Sequence, residues 1–210
     1  MGVSAPAAQP LVRIGVYGGA FDPPHLAHSA LAAAAVSQLE LDTLLVVPTG
    51  QAWHKARQLT SAVDRLAMTR LAFAQVPRSV VDEREILRDG PTYTVDTLRE
   101  LKQQYPASQL FLLMGSDQAE ALHTWHEIKE ITRLAIICVA ERDAPTPHPT
   151  HGQDSQPAVP GSYRSIALPR MSHSATDIRS RVASGQNLNA LVCEAVARYI
   201  QDNHLYPTAR

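Results

Sequence analysis

The sequence predicts an α/β protein in which a mainly parallel sheet lies between two layers of helices. Short runs of apolar and β-branched residues alternate with segments that have helical spacing, and this alternation is typical of strand–helix–strand units that form a parallel sheet. The chain has 210 residues, of which 45% are hydrophobic. It can therefore bury a sizeable core without disulfides or a metal, and we expect a single domain over residues 13–206.

Ten elements follow from these patterns. The apolar runs predict five strands, at Leu11–Tyr17, Thr43–Pro48, Leu110–Met114, Leu134–Ala140 and Ser165–Leu168. The helical spacing predicts five helices, at Leu26–Leu39, Val63–Gln75, Val95–Tyr105, Thr176–Ser184 and Ala190–Asn203. Ser61 and Thr94 stand just before two of these helices and are expected to be N-caps, because a short hydroxyl side chain accepts a hydrogen bond from the first-turn amides.

Two segments fall outside the pattern. Residues 1–12 are rich in Ala, Pro and Gln and lack the basic start and apolar stretch of a secretion signal, so we expect a flexible N-terminal extension. Residues 143–162 contain five prolines with polar neighbours, which predicts a surface loop inserted between a strand and a helix.

Composition argues against several classes of protein. The 19 basic and 20 acidic residues nearly cancel, so a broad basic face for nucleic acid or an anionic membrane is not expected. Apolar runs are shorter than the roughly 18 residues that a membrane span needs. Cys138 and Cys193 lie in apolar runs rather than in a CxxC pair, which predicts packed thiols in a reducing, cytoplasmic compartment.

A Gly-Gly turn and two histidines follow the first strand. Gly18 and Gly19 would let main-chain amides approach an anion, and the positive end of the next helix adds to that attraction. His25 and His28 are three residues apart on the opening helical turn, so both rings can face one ligand. Two imidazoles near a phosphorus atom would stabilise charge on its oxygens during in-line displacement.

The spacing of these histidines is not distinctive by itself, because two further HxxH pairs occur at His123/His126 and His148/His151. Only the first pair follows a strand and a Gly-Gly turn. The alternatives are a capping histidine beside a half-buried one, or structural zinc. Zinc would need two more ligands; Asp22 is adjacent, but no cysteine or further histidine has a matching position nearby.

The segment from Gly18 to His28 resembles the GxFDPxHxxH signature of the nucleotidylyltransferase superfamily, and residues 13–206 resemble the bacterial nicotinate-nucleotide adenylyltransferases. The resemblance implies a Rossmann-like three-layer α/β/α fold. It also implies transfer of AMP from ATP to nicotinate mononucleotide, with Mg²⁺ accompanying ATP and with Phe21 near the nucleotide. The chain departs from the family at Ala27, where Gly is usual, and after Arg142, where a shorter turn is common.

A second signature, Ser174-Ala175-Thr176-Asp177-Ile178-Arg179, begins another helix. Ser174 or Thr176 can cap this helix, while its amides and the Arg179 guanidinium hold a phosphate. The segment is similar to the family's SxTxxR motif for the outer phosphates of ATP. The alternative is an ordinary N-cap followed by a solvated arginine.

The acceptor is expected at the same edge of the sheet. His54 and Lys55 follow the second strand, and the resemblance implies that they face the acceptor phosphate. Thr94 belongs to a segment that resembles the lining of the pyridine ring, and Trp125 matches an aromatic residue that stacks on it. The alternatives are capping by Thr94 and core packing by Trp125. The resemblance assigns catalysis to His25, His28, Lys55 and Arg179.

Gly115 and Asp117 follow the strand that begins near Leu110. Glycine permits a close approach of main chain to ligand, and the Asp117 carboxylate could bind a ribose hydroxyl or help to order hydrated magnesium. The family resemblance favours contact with the nucleotide, whereas a plain helix N-cap is the alternative.

Other functions remain to be compared. The GxGxxG fingerprint of dinucleotide-dependent oxidoreductases and the GxxxxGK[ST] loop of P-loop kinases are both absent from the sequence. Within the superfamily the alternatives are nicotinamide mononucleotide as acceptor and phosphopantetheine adenylyltransferase. A non-catalytic nucleotide sensor is an alternative of another class. The sequence does not fix the oligomeric state or the protein ligands of magnesium.

Overall fold

The computed structural model describes residues 11–50, 59–142, 163–169, 171 and 174–207. The strands of these residues are β1 Arg13–Gly19, β2 Thr43–Pro48, β3 Ser79–Val81, β4 Gln109–Gly115, β5 Ala135–Arg142 and β6 Arg164–Leu168. They form one sheet in the order β3-β2-β1-β4-β5-β6, and every neighbouring pair is parallel. The strand order reverses between β1 and β4, and ligands usually bind at the carboxyl edge beside such a reversal.

The helices of the described residues are α1 Leu26–Gln38, α2 Ala62–Phe73, α3 Arg84–Leu87, α4 Thr94–Gln104, α5 Ser116–Glu120, α6 Ile128–Leu134, α7 Ala175–Ala183 and α8 Glu194–Asp202, with a 3-10 turn at Leu122–Thr124. The five predicted strands and five predicted helices are present. The sequence analysis missed β3, α3, α5 and α6, because three to seven residues are too few to show a hydrophobic period.

Two hydrophobic clusters cover opposite faces of the sheet, since successive strand residues point to opposite sides. On one face, alternate residues of β1 and β4 such as Ile14 and Leu112 pack against Leu98 of α4. On the other face, Tyr17 and Leu113 pack with helices α1 and α2. This confirms the three-layer α/β/α arrangement. A third cluster joins α2, α7 and α8 through Met68, Ile178, Val196 and Ile200.

The structure confirms one of the two predicted helix caps and corrects the other. Ser61 accepts a hydrogen bond of 3.1 Å from the amide of Asp64, which confirms its capping role. The prediction for Thr94 is wrong, because Tyr93 is the N-cap of α4 and Thr94 is the first helical residue. Tyr93 is extended, with φ −115° and ψ 136°, so the helix begins one residue earlier than predicted.

Both cysteines pack against hydrophobic clusters, as predicted. Cys138 is fully buried, and burial raises the pKa of its thiol to about 12. Cys193 is partly buried against the third cluster, and both thiols are free. None of the described helices combines the length and the apolar character that crossing a bilayer requires. Apart from Leu11 and Val12, the predicted N-terminal extension and the Pro-rich loop lie outside the described residues.

Candidate active site

Two adjoining cavities open at the carboxyl edge of the sheet. The histidine cavity, of about 450 Å³, is lined by His25 and His28 and reaches the ends of β5 and β6. The tryptophan cavity, of about 370 Å³, is lined by Trp125 and the start of α4. The two cavities have five lining residues in common: Gly18, Gly19, Ala20, Asp117 and Gln118. A ligand in one cavity would therefore approach a ligand in the other at the ends of β1 and β4.

The two histidines are stacked, and the main chain orients one of them. Their ring centroids are 3.6 Å apart. The amide of His25 donates a hydrogen bond of 3.0 Å to Nδ1 of His28. Because an amide can only donate, Nδ1 keeps its lone pair, and the proton of the neutral ring is on Nε2. His28 is thereby prepared as a hydrogen-bond donor.

Phe21 forms the wall behind His28. Its ring is 2% exposed and meets the His28 ring edge-on at 5.2 Å between centroids. Phe73 packs edge-on against the other side of Phe21 at 5.5 Å. Phe21 has a positive φ of 46°, which costs a non-glycine residue roughly 1 kcal/mol. The packing of the aromatic rings offsets this strain and fixes the turn before α1.

The Asp22 carboxylate joins separate parts of the chain beside the site. It is 3% exposed; Oδ1 accepts a hydrogen bond of 2.7 Å from the hydroxyl of Tyr206, and Oδ2 accepts one of 3.2 Å from the amide of Thr60. Because both of its carboxylate oxygens accept hydrogen bonds from the protein, Asp22 holds parts of the chain together in the described structure. Within the described part of the chain, no group of three or more His, Cys, Asp or Glu side chains could hold a metal ion.

The second signature meets the first at this point. Arg179 donates from Nη1 to the main-chain carbonyl of Asp22 at 2.8 Å and from Nη2 to the Thr176 hydroxyl at 3.0 Å. Thr176 and Arg179 both line the histidine cavity. The Ser174 hydroxyl accepts a hydrogen bond of 3.1 Å from the amide of Asp177, so its side chain caps α7. The two turns therefore line one cavity, although they are far apart in the chain.

Two glycines expose the main chain to the histidine cavity. A Cβ atom added to Gly18 or to Gly115 would meet no atom within 4 Å, so a ligand can approach the backbone there. Gly115 is the N-cap of α5, and Asp117, in the first turn of that helix, lines both cavities. Ala27, the departure from the family signature, also lines the histidine cavity.

The tryptophan cavity has an aromatic and hydroxyl-rich lining. Trp125 is half-buried and packs against the cluster on the α4 face of the sheet, so it both lines the cavity and contributes to the core. Thr94 lines the cavity at the start of α4. The rings of Tyr93 and His126 lie 4.4 Å apart in the same lining. The sequence analysis missed His126 because it follows a 3-10 turn rather than a strand.

Glu85 is a buried carboxyl group in the same lining, and the sequence analysis missed it as well. It is 6% exposed and accepts a hydrogen bond of 2.7 Å from the Thr97 hydroxyl. Burial raises the pKa of Glu85 to about 7, against the lowering effects of Thr97 and Arg88. Glu85 belongs to the four-residue helix α3, which gave no periodic signal.

His54 and Lys55 lie outside the described residues. Strand β2 ends at Pro48, and the next residue, Thr49, lines the tryptophan cavity. Gly50 follows, and a Cβ atom there would collide with the main-chain carbonyl of Glu85. Glycine at this position therefore allows the chain to pass directly against α3.

Paired glycines, stacked histidines and a distant arginine at the switch point of a Rossmann-like sheet define a nucleotidyltransferase. The chain belongs to the cytidylyltransferase-like family, whose model matches residues 16–181.

Two relatives carry the name "probable nicotinate-nucleotide adenylyltransferase". The protein from Albidiferax ferrireducens is 53% identical, over 94% of this chain and 99% of its own. The protein from Methylibium petroleiphilum is 42% identical, over 97% and 96%. At 42–53% identity over nearly the full length, the chain belongs to the nicotinate-nucleotide adenylyltransferases.

Solved structures share the fold at lower identity. Plasmodium falciparum nicotinic acid mononucleotide adenylyltransferase complexed with APC has a TM-score of 0.72 and 20% identity, with 92% of this chain and 96% of that chain covered. The same enzyme complexed with NaAD also has a TM-score of 0.72 and 20% identity. At this identity the likeness establishes the fold.

Proposed function

We propose that the protein transfers AMP from ATP to nicotinate mononucleotide, giving nicotinate adenine dinucleotide and pyrophosphate. One observation carries the proposal: the histidine and tryptophan cavities share the wall formed by Gly18, Gly19 and Asp117. Two nucleotides bound in these cavities would meet with their phosphates at that wall. The relatives named as nicotinate-nucleotide adenylyltransferases and the complex with NaAD agree with this use of the site.

ATP would occupy the histidine cavity. Gly18, near the end of β1, leaves room for an anion beside the main chain, and the positive end of α1 favours negative charge there. His25 and His28 would bind the oxygens of the α-phosphate, whereas Arg179 would bind the outer phosphates with its planar guanidinium. Arg179 is already held by Asp22 and Thr176, so little side-chain entropy is lost when a phosphate binds.

The chemical step is an in-line displacement at phosphorus. An oxygen of the acceptor's 5′-phosphate attacks the α-phosphorus, the new P–O bond forms, and the bond to the pyrophosphate oxygen breaks. The attacking phosphate is already anionic near neutral pH, so no general base is required. His28 contributes a donor from Nε2 toward the charge on the α-phosphate oxygens, and the two cavity walls supply proximity and alignment.

We expect Mg²⁺ to arrive with ATP. Protein-bound magnesium commonly uses one or two carboxylates together with substrate phosphates and water. Asp117 fits this donor set because it lines both cavities, whereas both oxygens of Asp22 accept hydrogen bonds from the protein. The ion would screen the negative charge of the outer phosphates.

Nicotinate mononucleotide would occupy the tryptophan cavity. The pyridine ring would stack on Trp125, and the ring carboxylate would approach the start of α4 at Thr94, where the helix dipole favours negative charge. This attraction favours the acid over the amide of nicotinamide mononucleotide. The family resemblance implies that His54 and Lys55 would bind the acceptor phosphate and so complete the acceptor site. The two free thiols suit a cytoplasmic location.

An acceptor screen tests the proposal. Purified protein is incubated with labelled ATP, Mg²⁺ and either nicotinate mononucleotide, nicotinamide mononucleotide or phosphopantetheine, and labelled adenylylated product is measured. We expect the largest kcat/KM with nicotinate mononucleotide. A larger value with either of the other acceptors would reassign the substrate. ATP binding without product from any acceptor would indicate a nucleotide sensor.

A further inference from the structure

Arg65 is a buried arginine that neither cavity explains. It is 2% exposed, lies in α2 and does not line the histidine or the tryptophan cavity. Burial lowers the pKa of its guanidinium, while the neighbouring charge of Asp22 raises it. A buried arginine is costly unless its donors are satisfied, so the partners of this side chain indicate its role.

The three nitrogens of Arg65 bind three main-chain carbonyls. Nη1 donates to Ala20 at 3.0 Å, Nη2 donates to Gly50 at 3.2 Å, and Nε donates to Thr60 at 3.0 Å. The amide of Thr60 in turn donates to the Asp22 carboxylate. One planar group thus joins three stretches of backbone.

These three stretches border the two substrate sites. Ala20 belongs to the turn after β1 and lines both cavities. Gly50 follows Thr49, which lines the tryptophan cavity, and the amide of Thr60 binds Asp22, which lines the histidine cavity. Arg65 therefore fastens the backbone beside the tryptophan cavity to the turn that carries the first signature.

We propose that Arg65 is a positioning residue for the transfer reaction, because it sets where Gly50 and the adjoining Thr49, which lines the tryptophan cavity, stand relative to the turn at Ala20. The inference rests on the proposed function, since it takes the histidine and tryptophan cavities as the sites of ATP and of the acceptor. The distance between the acceptor phosphate and the α-phosphorus depends on this alignment. Misplacement of reacting groups by about 1 Å can lower a rate on the order of 100-fold.

Lysine is the most informative substitution for Arg65, because it separates the effect of charge from that of hydrogen-bonding geometry. It keeps the positive charge beside Asp22 but has a single ammonium, which cannot direct donors to three carbonyls as a planar guanidinium does. We expect Arg65→Lys to lower kcat by about 10- to 100-fold and to raise KM for the acceptor. The Kd for ATP should stay within about 3-fold of wild type, because the histidine cavity keeps its own residues.

Arg70→Lys is the matched control. Arg70 lies on the same helix, is exposed and pairs with Glu83, so its substitution should leave kcat, both KM values and thermal unfolding unchanged. If Arg65 were purely structural, its substitution would have a different effect. The substitution would lower the folded fraction but would leave kcat per folded molecule and the ratio of the two KM values as in wild type.

Amide hydrogen exchange supplies a readout that does not depend on turnover. In Arg65→Lys we expect faster exchange over residues 49–60 and 20–22, and unchanged exchange in β1, β4 and β5. Arg65→Gln, which loses the charge as well, should show the same pattern with greater amplitude.

Wild-type kcat and exchange in Arg65→Lys would overturn the inference, and so would a loss of activity in both variants that only follows the loss of folded protein. Failure of the proposed function is a separate result. It would appear as absence of product from the wild-type protein in the same assay, whereas the exchange experiment would still test whether Arg65 fastens the backbone at Gly50 and Thr60 to the turn at Ala20.

Discussion

Arg179 donates a hydrogen bond of 2.8 Å to the main-chain carbonyl of Asp22, although 157 positions separate the two residues in the chain. This bond brings the start of α7 to the turn before α1, so two helix N-termini and one guanidinium border the histidine cavity. Tyr206 reaches the same turn by donating its hydroxyl proton to the Asp22 carboxylate. The end of the described chain thus closes on the turn that carries the first signature.

The first prediction concerns the planar guanidinium of Arg179. Arg179→Lys should raise KM for ATP by about 10-fold, and Arg179→Ala by more, because neither residue can bind Asp22, Thr176 and a phosphate at once. The effect on kcat should be smaller. Steady-state kinetics with varied ATP measures both. Arg181→Ala is the control, since Arg181 lies on the same helix and pairs with Asp177. An unchanged KM in Arg179→Ala would remove this residue from the ATP site.

The second prediction concerns His28. His28→Ala should lower kcat by about 100- to 1000-fold, the usual cost of removing one donor to a developing oxyanion, and should leave the Kd for ATP nearly unchanged. Calorimetry and single-turnover kinetics separate binding from chemistry. His123→Ala, at an exposed histidine that lines neither cavity, should retain wild-type turnover. Full activity in His28→Ala would refute the assigned role.

The third prediction concerns Trp125. Trp125→Ala should raise KM for nicotinate mononucleotide by about 10-fold or more, because stacking of a base on an aromatic side chain contributes roughly 1–3 kcal/mol. KM for ATP should not change, and Trp125→Phe should lose less. Trp125 also packs against the core, so thermal unfolding is measured in parallel. Tyr105→Ala, at the exposed far end of α4, serves as control. Equal increases in both KM values would indicate general loosening instead of lost stacking.

The sequence was informative where a pattern is long or a motif is continuous. The alternation along β1, β2, β4, β5 and β6 predicted the parallel sheet, and the Gly18–His28 segment predicted the ligand edge. Glu85 could not be found in this way, since its burial depends on the packing of a four-residue helix against α4 and Gly50. Arg65 lies in a helical pattern where arginine is usually solvated, and its three carbonyl partners come from separate segments that only the fold brings together.

Ser174 and Thr94 show that the sequence does not predict the exact first residue of a helix. Each lies at a helix start with a hydroxyl that can either cap the helix or face a ligand. In the structure Ser174 caps α7, whereas Thr94 lines the tryptophan cavity and Tyr93 is the N-cap. The choice depends on a shift of one residue in the helix start, and hydrophobic spacing does not resolve helix ends to that precision.

The fourth prediction concerns the pH dependence of stability. Burial raises the pKa of Glu85 from 4.5 to about 7, so between these values the folded state holds a proton that the unfolded state has released. The contribution of Glu85 to stability is then greatest below about pH 4.5, falls as the pH rises toward 7, and is constant above it; the whole loss is at most about 3 kcal/mol. Glu85→Gln keeps an acceptor for Thr97 and removes the titration. Its free energy of unfolding, relative to wild type, should therefore increase between about pH 5 and pH 8.

Urea denaturation at these two pH values measures the difference between Glu85→Gln and wild type, and Glu83→Gln provides the control because Glu83 is an exposed carboxylate paired with Arg70. The control should follow the wild-type pH profile. Parallel profiles for Glu85→Gln and wild type would show that Glu85 is ionised in the folded protein throughout this range. A negative charge would then face the acceptor at neutral pH, and an anionic pyridine carboxylate would have to bind in spite of it.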